Sequence, residues 1–522
     1  MDTDGPNQHS ERSPTDRLRA RLDPVWSRIR SRFTVDTRSL AAMRIALGLT
    51  LLIDLLYRAG SMAQFYTDSG VYPLSVYEAT YSQFTGLSIH ALSGDLWFQQ
   101  LLFVVAGLLA VAFILGYRTR LVGVLSLILL FSLHARNPGV LNGGDRLLRV
   151  ILFVALTTPL GERWSVDALR RGSARSAVAS FGTAAVLLQP LIVFVSNAIL
   201  KHQGETWYAG EALEIALKND VMTILLGDVL ASYPTVMTVL NYGWITLLSG
   251  AVLFLLVPVG RLRALAALAY IGAFSGMIVT MSVGIFPLGL IASVLPFLTA
   301  PFWDLLSRRV PDRWRNRLPT VDDLGPVGRP PIERRLLDGL RARGHVFAAS
   351  YAVSYARSLV TVIGLLVVVW MLMFGAADVS DYSVPEEIDS ATVDQQSWGL
   401  YAPDPSESYS WYVVEAQLSN GTVTADLPGT ADTFEHPPDA AGSYETFRHR
   451  KYMQKVQDSG EDDTGDEIAE AYADWACGQV ATAHDRPVDQ LTVSRIYQPS
   501  PLDGSYDAAR PITVIEWECQ AR

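Results

Sequence analysis

Ser132-Leu-His-Ala-Arg-Asn-Pro-Gly-Val-Leu-Asn-Gly-Gly-Asp-Arg-Leu-Leu-Arg149 sets charged and hydrogen-bonding groups between two apolar runs. The run before it, Leu121 to Leu133, and the run after it, Leu147 to Leu160, are each too short to cross a hydrocarbon layer of about 30 Å at about 1.5 Å per residue. If both are membrane helices, the connection between them is recessed. Backbone at that depth survives only where it is buried in protein or lines a wet cavity. His134, Arg136, Asn137, Asn142, Asp145 and Arg146 then face an interior space, and ionisable groups at membrane depth mark sites. The alternative is an ordinary capped turn with Asp145 and Arg146 in solvent, and the residues alone leave both readings open.

The surrounding chain fits a membrane protein. Half of the 522 residues are hydrophobic and the mean hydropathy is +0.22. With several apolar runs near the length of a span, this composition indicates a polytopic protein in a lipid bilayer. The first 38 residues are polar and Arg-rich, with no small-residue cleavage site after an apolar core, so no removable signal peptide is expected. The net charge of −10 divides into a basic part before Phe374 and a strongly acidic part after it. Lysine occurs only at Lys201, Lys218, Lys451 and Lys455. An acidic, lysine-poor exterior suits a high-salt habitat, although high genomic GC also favours arginine. Neither a basic groove nor interleaved aromatics points to nucleic acid.

Arginine placement orders the chain about the membrane. The Arg-rich tail 1–38 is expected in the cytoplasm. Spans follow at about Leu40–Leu56, Trp97–Gly116, the short run ending at His134, Leu147–Leu160, Ala177–Leu200, Val236–Val259, Leu262–Met281 and Val283–Phe302. Arg44 can snorkel to the inner surface, and Asp54 with Arg58 forms an i, i+4 pair at the outer end. The loop Ala59–Leu96 contains no Lys or Arg, as an external loop should, and Glu211–Leu230 can form an amphipathic surface helix. Gly272 and Gly276 make a small-xxx-small pair of the kind that packs helices closely.

Asp304 to His345 carries ten arginines and belongs to a cytoplasmic loop, 304–357. A ninth span, 358–375, sends the acidic tail 376–522 outside. The expected fold is therefore all-α and polytopic, with about nine transmembrane helices, eight of them in a domain 39–303, plus a small extracytoplasmic α+β domain in the cell membrane. In that tail Trp411–Leu418 and Ile512–Glu518 read as strands, Glu467–Val480 as a helix, and Asn420-Gly421 as a hairpin turn. Cys477 and Cys519 are either bridged, stapling that helix to the last strand, or two buried free thiols.

The usual soluble-enzyme signatures are absent, and no structural metal is expected. What remains is Lys201 with His202 at the outer end of the fifth span. A lysine at an apolar border loses hydration that favours its ammonium form, which suits a neutral amine able to take a proton. A snorkelling lysine, an interfacial anchor at Trp207 and a helix-end histidine at His134 are the plain alternatives.

Five motifs in order carry a resemblance: Arg44-Ile-Ala-Leu-Gly48, Phe65-Tyr-Thr-Asp-Ser-Gly-Val71, Gly116-Tyr-Arg-Thr-Arg120, Arg136-Asn-Pro138 with Gly143-Gly-Asp145, and Trp164-Ser-Val-Asp167. Over about Leu40 to Phe302 the chain resembles the HTTM (horizontally transferred transmembrane) domain family, prokaryotic relatives of the vitamin K-dependent gamma-carboxylase. Trp398–Pro405 and Arg448–Tyr452 look like the extension such proteins carry. The resemblance implies a lysine base shortly before a tryptophan, a reduced menaquinone or vitamin K-type quinol as cofactor, and carboxylation of a glutamate on a protein or peptide substrate. Lys201 ahead of Trp207 matches that base. The carboxylases have two adjacent lysines there, so either Lys201 or His202 can align with it; they also have a histidine where this chain has Gly144. The expected pocket opens outward and is lined by His134, Arg136, Asn142, Asp145, Lys201 and Trp207. The competing reading is a non-enzymatic membrane protein whose external tail binds a partner while the polar loop packs the bundle.

Overall fold

A computed structural model describes residues 14–80, 86–309, 359, 362–370, 372–373, 399–461, 466–502 and 505–519. The bundle begins with α1 (Thr37–Gly60), whose N-terminus is capped by the Asp36 carboxylate accepting from Arg38 N. It continues through α2 (Leu96–Leu115), α3 (Thr119–Arg136), α4 (Gly143–Leu156), α5 (Phe181–Lys201), α6 (Pro234–Ser249), α7 (Arg261–Thr280), α8 (Phe286–Val294) and α9 (Ala300–Arg309). Among the described residues five helices, α1, α2, α3, α5 and α7, are long and apolar enough to cross a membrane. The α8 and α9 segments meet at 101° and count as a sixth if they form one broken span.

The remaining expected spans take other forms. α4 has 14 residues, about 21 Å of helix, and is packed inside the bundle against α3, α5 and α8. The expected sixth span is the 16-residue α6 followed by a π-helical turn at Val252–Leu256. Of the expected ninth span only a helical stretch, 362–370, and a few neighbours lie within the described residues, and Val367 packs into the bundle core. Glu211–Leu230 is not one surface helix. It breaks into Ala212–Leu217 and Gly227–Ala231, because Ile224 N and Leu226 N donate instead to Thr280 O and Val279 O at the end of α7.

Arg44 does not snorkel. It is fully buried, and its guanidinium donates to the carbonyls of Ile114, Leu160, Arg163 and Trp164, closing the end of α2 against the loop after α4. Asp167 holds the same turn by accepting from Arg118 N, Thr119 N and Thr119 Oγ1. Gly116 sits between them at φ +66°, where a Cβ would lie 2.9 Å from Arg44 Nη1. Three of the separate sequence motifs thus form one joint.

The tail folds as an antiparallel sheet of β1 (Ser408–Leu418), β2 (Val423–Thr424), β3 (Val488–Pro499) and β4 (Arg510–Glu518), in the order β2-β1-β3-β4. Asn420-Gly421 turns β1 into β2, with Gly421 at φ +81°. Helices α10 (Phe447–Glu461) and α11 (Asp466–His484) pack on the sheet, and Cys477 is disulfide-bonded to Cys519 just past β4. The tail core is continuous with the Arg-free loop: Trp411, Tyr452 and Tyr472 share one buried cluster with Phe65, Tyr66, Val71 and Tyr72. The sheet domain is therefore seated on the bundle by apolar contact.

Candidate functional site

The connection between α3 and α4 is a capped turn, but one buried in protein. After α3 a single 3-10 turn, Pro138–Val140, leads into a capping box at α4: Asn142 Oδ1 accepts from Gly144 N at 2.8 Å, and Asp145 Oδ2 accepts from Asn142 N at 2.8 Å. Yet the turn is not in solvent, because His134, Arg136, Asn137 and Asp145 are all fully buried. Asn137 bonds Phe65 O, and Arg136 Nη2 bonds Tyr72 O between the Tyr72 and Tyr77 rings. Arg146 is half-buried.

Asp145 belongs to a closed ionic network. Arg58 donates to Asp54 at 2.9 Å and to Asp145 at 2.6 Å. From α10 of the tail, Arg448 reaches the same two carboxylates, bonding Asp54, Asp145 Oδ1 at 2.9 Å and Val140 O at 3.0 Å. Two arginines balance two aspartates with no exposed side chain, which keeps the buried charges paired. His134 Nδ1 lies 2.9 Å from the Arg149 guanidinium, which only donates. The imidazole proton therefore sits on Nε2, 3.5 Å from Asp145. Asp54, His134 and Asp145 could each offer a metal one atom, but both carboxylates already neutralise arginines and leave no net negative charge for a cation.

Lys201 stands elsewhere. It ends α5, is 1% exposed, and lines an apolar cavity of about 940 Å³ between α5, α6 and α7. Its Nζ donates to the carbonyls of Leu400 and Tyr401 at 2.7 Å each and lies 3.8 Å above the centre of the Trp207 ring. Trp207 Nε1 donates to Tyr401 O at 3.1 Å. The strap Leu400–Asp404 that supplies these carbonyls is fastened by Asp404, whose carboxylate accepts from Glu205 N and Thr206 N, both at 3.0 Å, and from the Thr206 hydroxyl. Burial pushes the Asp404 carboxyl up, but those three donors and the Lys201 charge outweigh it and hold it below the usual carboxylate range.

The structure thus divides the expected pocket. Lys201 and Trp207 come together on the cavity wall, whereas His134, Arg136, Asn137, Asn142, Asp145 and Arg146 are not among the residues lining it. The loop touches the cavity only through its wall: Gly144 lies against the Phe286 backbone, and Phe286 lines the space. His202 points away, bonded to Tyr208 OH at 2.5 Å and Ser249 Oγ at 2.9 Å on the exposed side. Gly272 and Gly276 do not pack a helix among the described residues. With Gly243 of α6 they line the cavity, are exposed, and a Cβ on any of the three would meet no atom within 4 Å. The cavity therefore opens between α6 and α7 on the outer face of the bundle.

Sequence reasoning did not single out Arg448, Leu400, Tyr401 or Asp404, though the Trp398–Pro405 and Arg448–Tyr452 patterns held the signal. No curated protein and no solved structure matches the chain. The helical bundle, the Arg44 joint and the capped turn coincide with a match to the HTTM domain over residues 33–303, and the chain belongs to that family of membrane proteins related to the vitamin K-dependent carboxylases.

Proposed function

We propose that the protein carries out quinol-linked chemistry at Lys201, of the kind the carboxylase relatives perform, in a pocket that faces outward within the bilayer. The observation that carries this reading is a buried primary amine on the wall of a largely apolar cavity of about 940 Å³. That volume is at the upper end of about 300–1,000 Å³ for small-molecule sites and suits a bicyclic head with a prenyl chain. The opening between α6 and α7 lets a lipidic ligand enter from the side. A bound quinol would supply an acidic O–H and reducing equivalents; Lys201 Nζ in its unprotonated form would take the O–H proton, and the resulting ammonium would lie against the Trp207 face.

In this reading the chain has nine spans, the N-terminus is cytoplasmic, and residues 376–522 form the extracytoplasmic domain beside which a glutamate-bearing peptide binds. The network around Asp145 favours one element of the competing reading, since those loop residues are committed to holding the tail on the bundle. The test is fixation of labelled carbon dioxide into a glutamate peptide with reduced menaquinone, wild type against Lys201→Ala, together with mass spectrometry of co-purifying lipids. Wild-type turnover that Lys201→Ala abolishes supports the proposal; no wild-type turnover with several quinols, and no bound quinone, leaves the partner-binding reading in its place.

A further inference from the structure

The strap lies outside residues 33–303, yet it supplies both hydrogen-bond acceptors that Lys201 Nζ uses. Besides its bond to carbon, an amine nitrogen has three tetrahedral directions: two N–H groups and a lone pair when neutral, three N–H groups when protonated. Two carbonyls at 2.7 Å occupy two of these directions. The Trp207 ring packs on the same nitrogen at 3.8 Å, and both residues line the cavity.

We infer that Asp404 is a positioning residue: by fastening the strap to Glu205 and Thr206 it holds the two carbonyls on Nζ and so keeps the amine against the Trp207 face at the cavity wall. This rests on the reading of Lys201 as the reacting amine. It gives the acidic tail a role within the site itself. The fit is close enough to require glycine at the neighbouring position, where a Cβ on Gly204 would lie 2.3 Å from Pro403 O and 2.5 Å from Asp404 Oδ1. Asp404, at the strap's far end, is tied to Glu205 N and Thr206 N, while Trp207 Nε1 donates to Tyr401 O, so the strap is held at two points.

The chain offers a direct assay, because its four lysines can be followed one by one. Full-length protein in nanodiscs is treated with trace acetic anhydride, and acetylation of Lys201, Lys218, Lys451 and Lys455 is quantified by peptide mass spectrometry. In Asp404→Ala the ratio of Lys201 to Lys451 labelling is expected to rise about tenfold, the order of effect of removing a side-chain cap from backbone N–H groups. Gly204→Ala, which displaces the strap without altering the carboxylate, should do the same. Thr206→Ser, which keeps the hydroxyl, should retain the wild-type ratio, and Thr206→Val should raise it. Unchanged ratios in Asp404→Ala and Gly204→Ala overturn the inference, as does a rise shared by all four lysines, which would mean release of the whole tail. Full turnover in Lys201→Ala would instead remove the proposed chemistry and leave the labelling ratios as they are, so the two failures are distinguishable.

Discussion

Replacing Arg448 by Met tests whether the tail is held to the bundle by charge as well as by apolar packing. The side chain is fully buried and bonds Asp54, both oxygens of Asp145 and Val140 O. Methionine fills similar volume but leaves two carboxylates facing only Arg58, a buried group with one uncompensated negative charge. Removing one partner of such a network costs about 3–5 kcal/mol, against at most about 1 kcal/mol for an exposed pair. Because the chain has more than one cooperative unit, the loss is best read locally, by hydrogen exchange in α10 and by proteolysis between bundle and tail. Opening of the tail should become more frequent by a factor of 100 or more, about 1.4 kcal/mol corresponding to each tenfold. Asp54→Asn in the same protein restores neutrality with Arg58 against Asp145 and should recover most of the loss, giving strong non-additivity. Arg448→Lys keeps the charge but loses the planar fork and should fall between. An Arg448→Met protein with wild-type exchange in α10, or one to which Asp54→Asn simply adds further loss, would refute the account of this network.

Two other expectations concern single positions. Restoring the carboxylases' histidine by Gly144→His should destabilise the protein by about 1–3 kcal/mol, since a Cβ there meets Phe286 N at 2.7 Å and the backbone must move; denaturation midpoints read this, and an unchanged midpoint counts against the close approach. His90, in the Arg-free loop between α1 and α2, is held down to about 3 by burial first and then by the Arg58 and Arg136 charges. Its unfolded form binds a proton below about 6.5 while the folded form stays neutral, so stability falls as pH drops from about 6.5 toward 3, by up to about 1.4 kcal/mol per unit. His90→Gln should flatten that part of the pH profile relative to wild type, and parallel profiles for the two proteins would show that His90 does not titrate as described.

What the sequence could reveal was set by range. Apolar runs, capping residues and the Asn420-Gly421 turn act over a few positions, and they placed most helices and the hairpin. The Asp54–Arg58 pair was legible for the same reason, at a spacing of four. Its other partner, Arg448, lies 394 positions from Asp54, and a bridge over that distance leaves no periodic trace. Lys201 and Trp207 were paired by the family resemblance, which spans a short stretch there, whereas the strap that completes their surroundings comes from some 199 residues downstream. The residues at 134–146 left a polar lining and a solvated turn equally open in the sequence, and neither reading could foresee an internal ion network. Gly272 and Gly276 show the same limit, since small residues at that spacing serve a contact and a gap equally well.

The long reach of the strap bears on how the protein is made. When α5 to α7 have been made, the amine of Lys201 still lacks both of these oxygen partners, because Leu400 and Tyr401 have yet to be synthesised and folded against it. A nascent chain can thus hold an assembled bundle and an open hollow without having a finished site. Truncated products that stop before the strap would share that unfinished state, however well their helices fold.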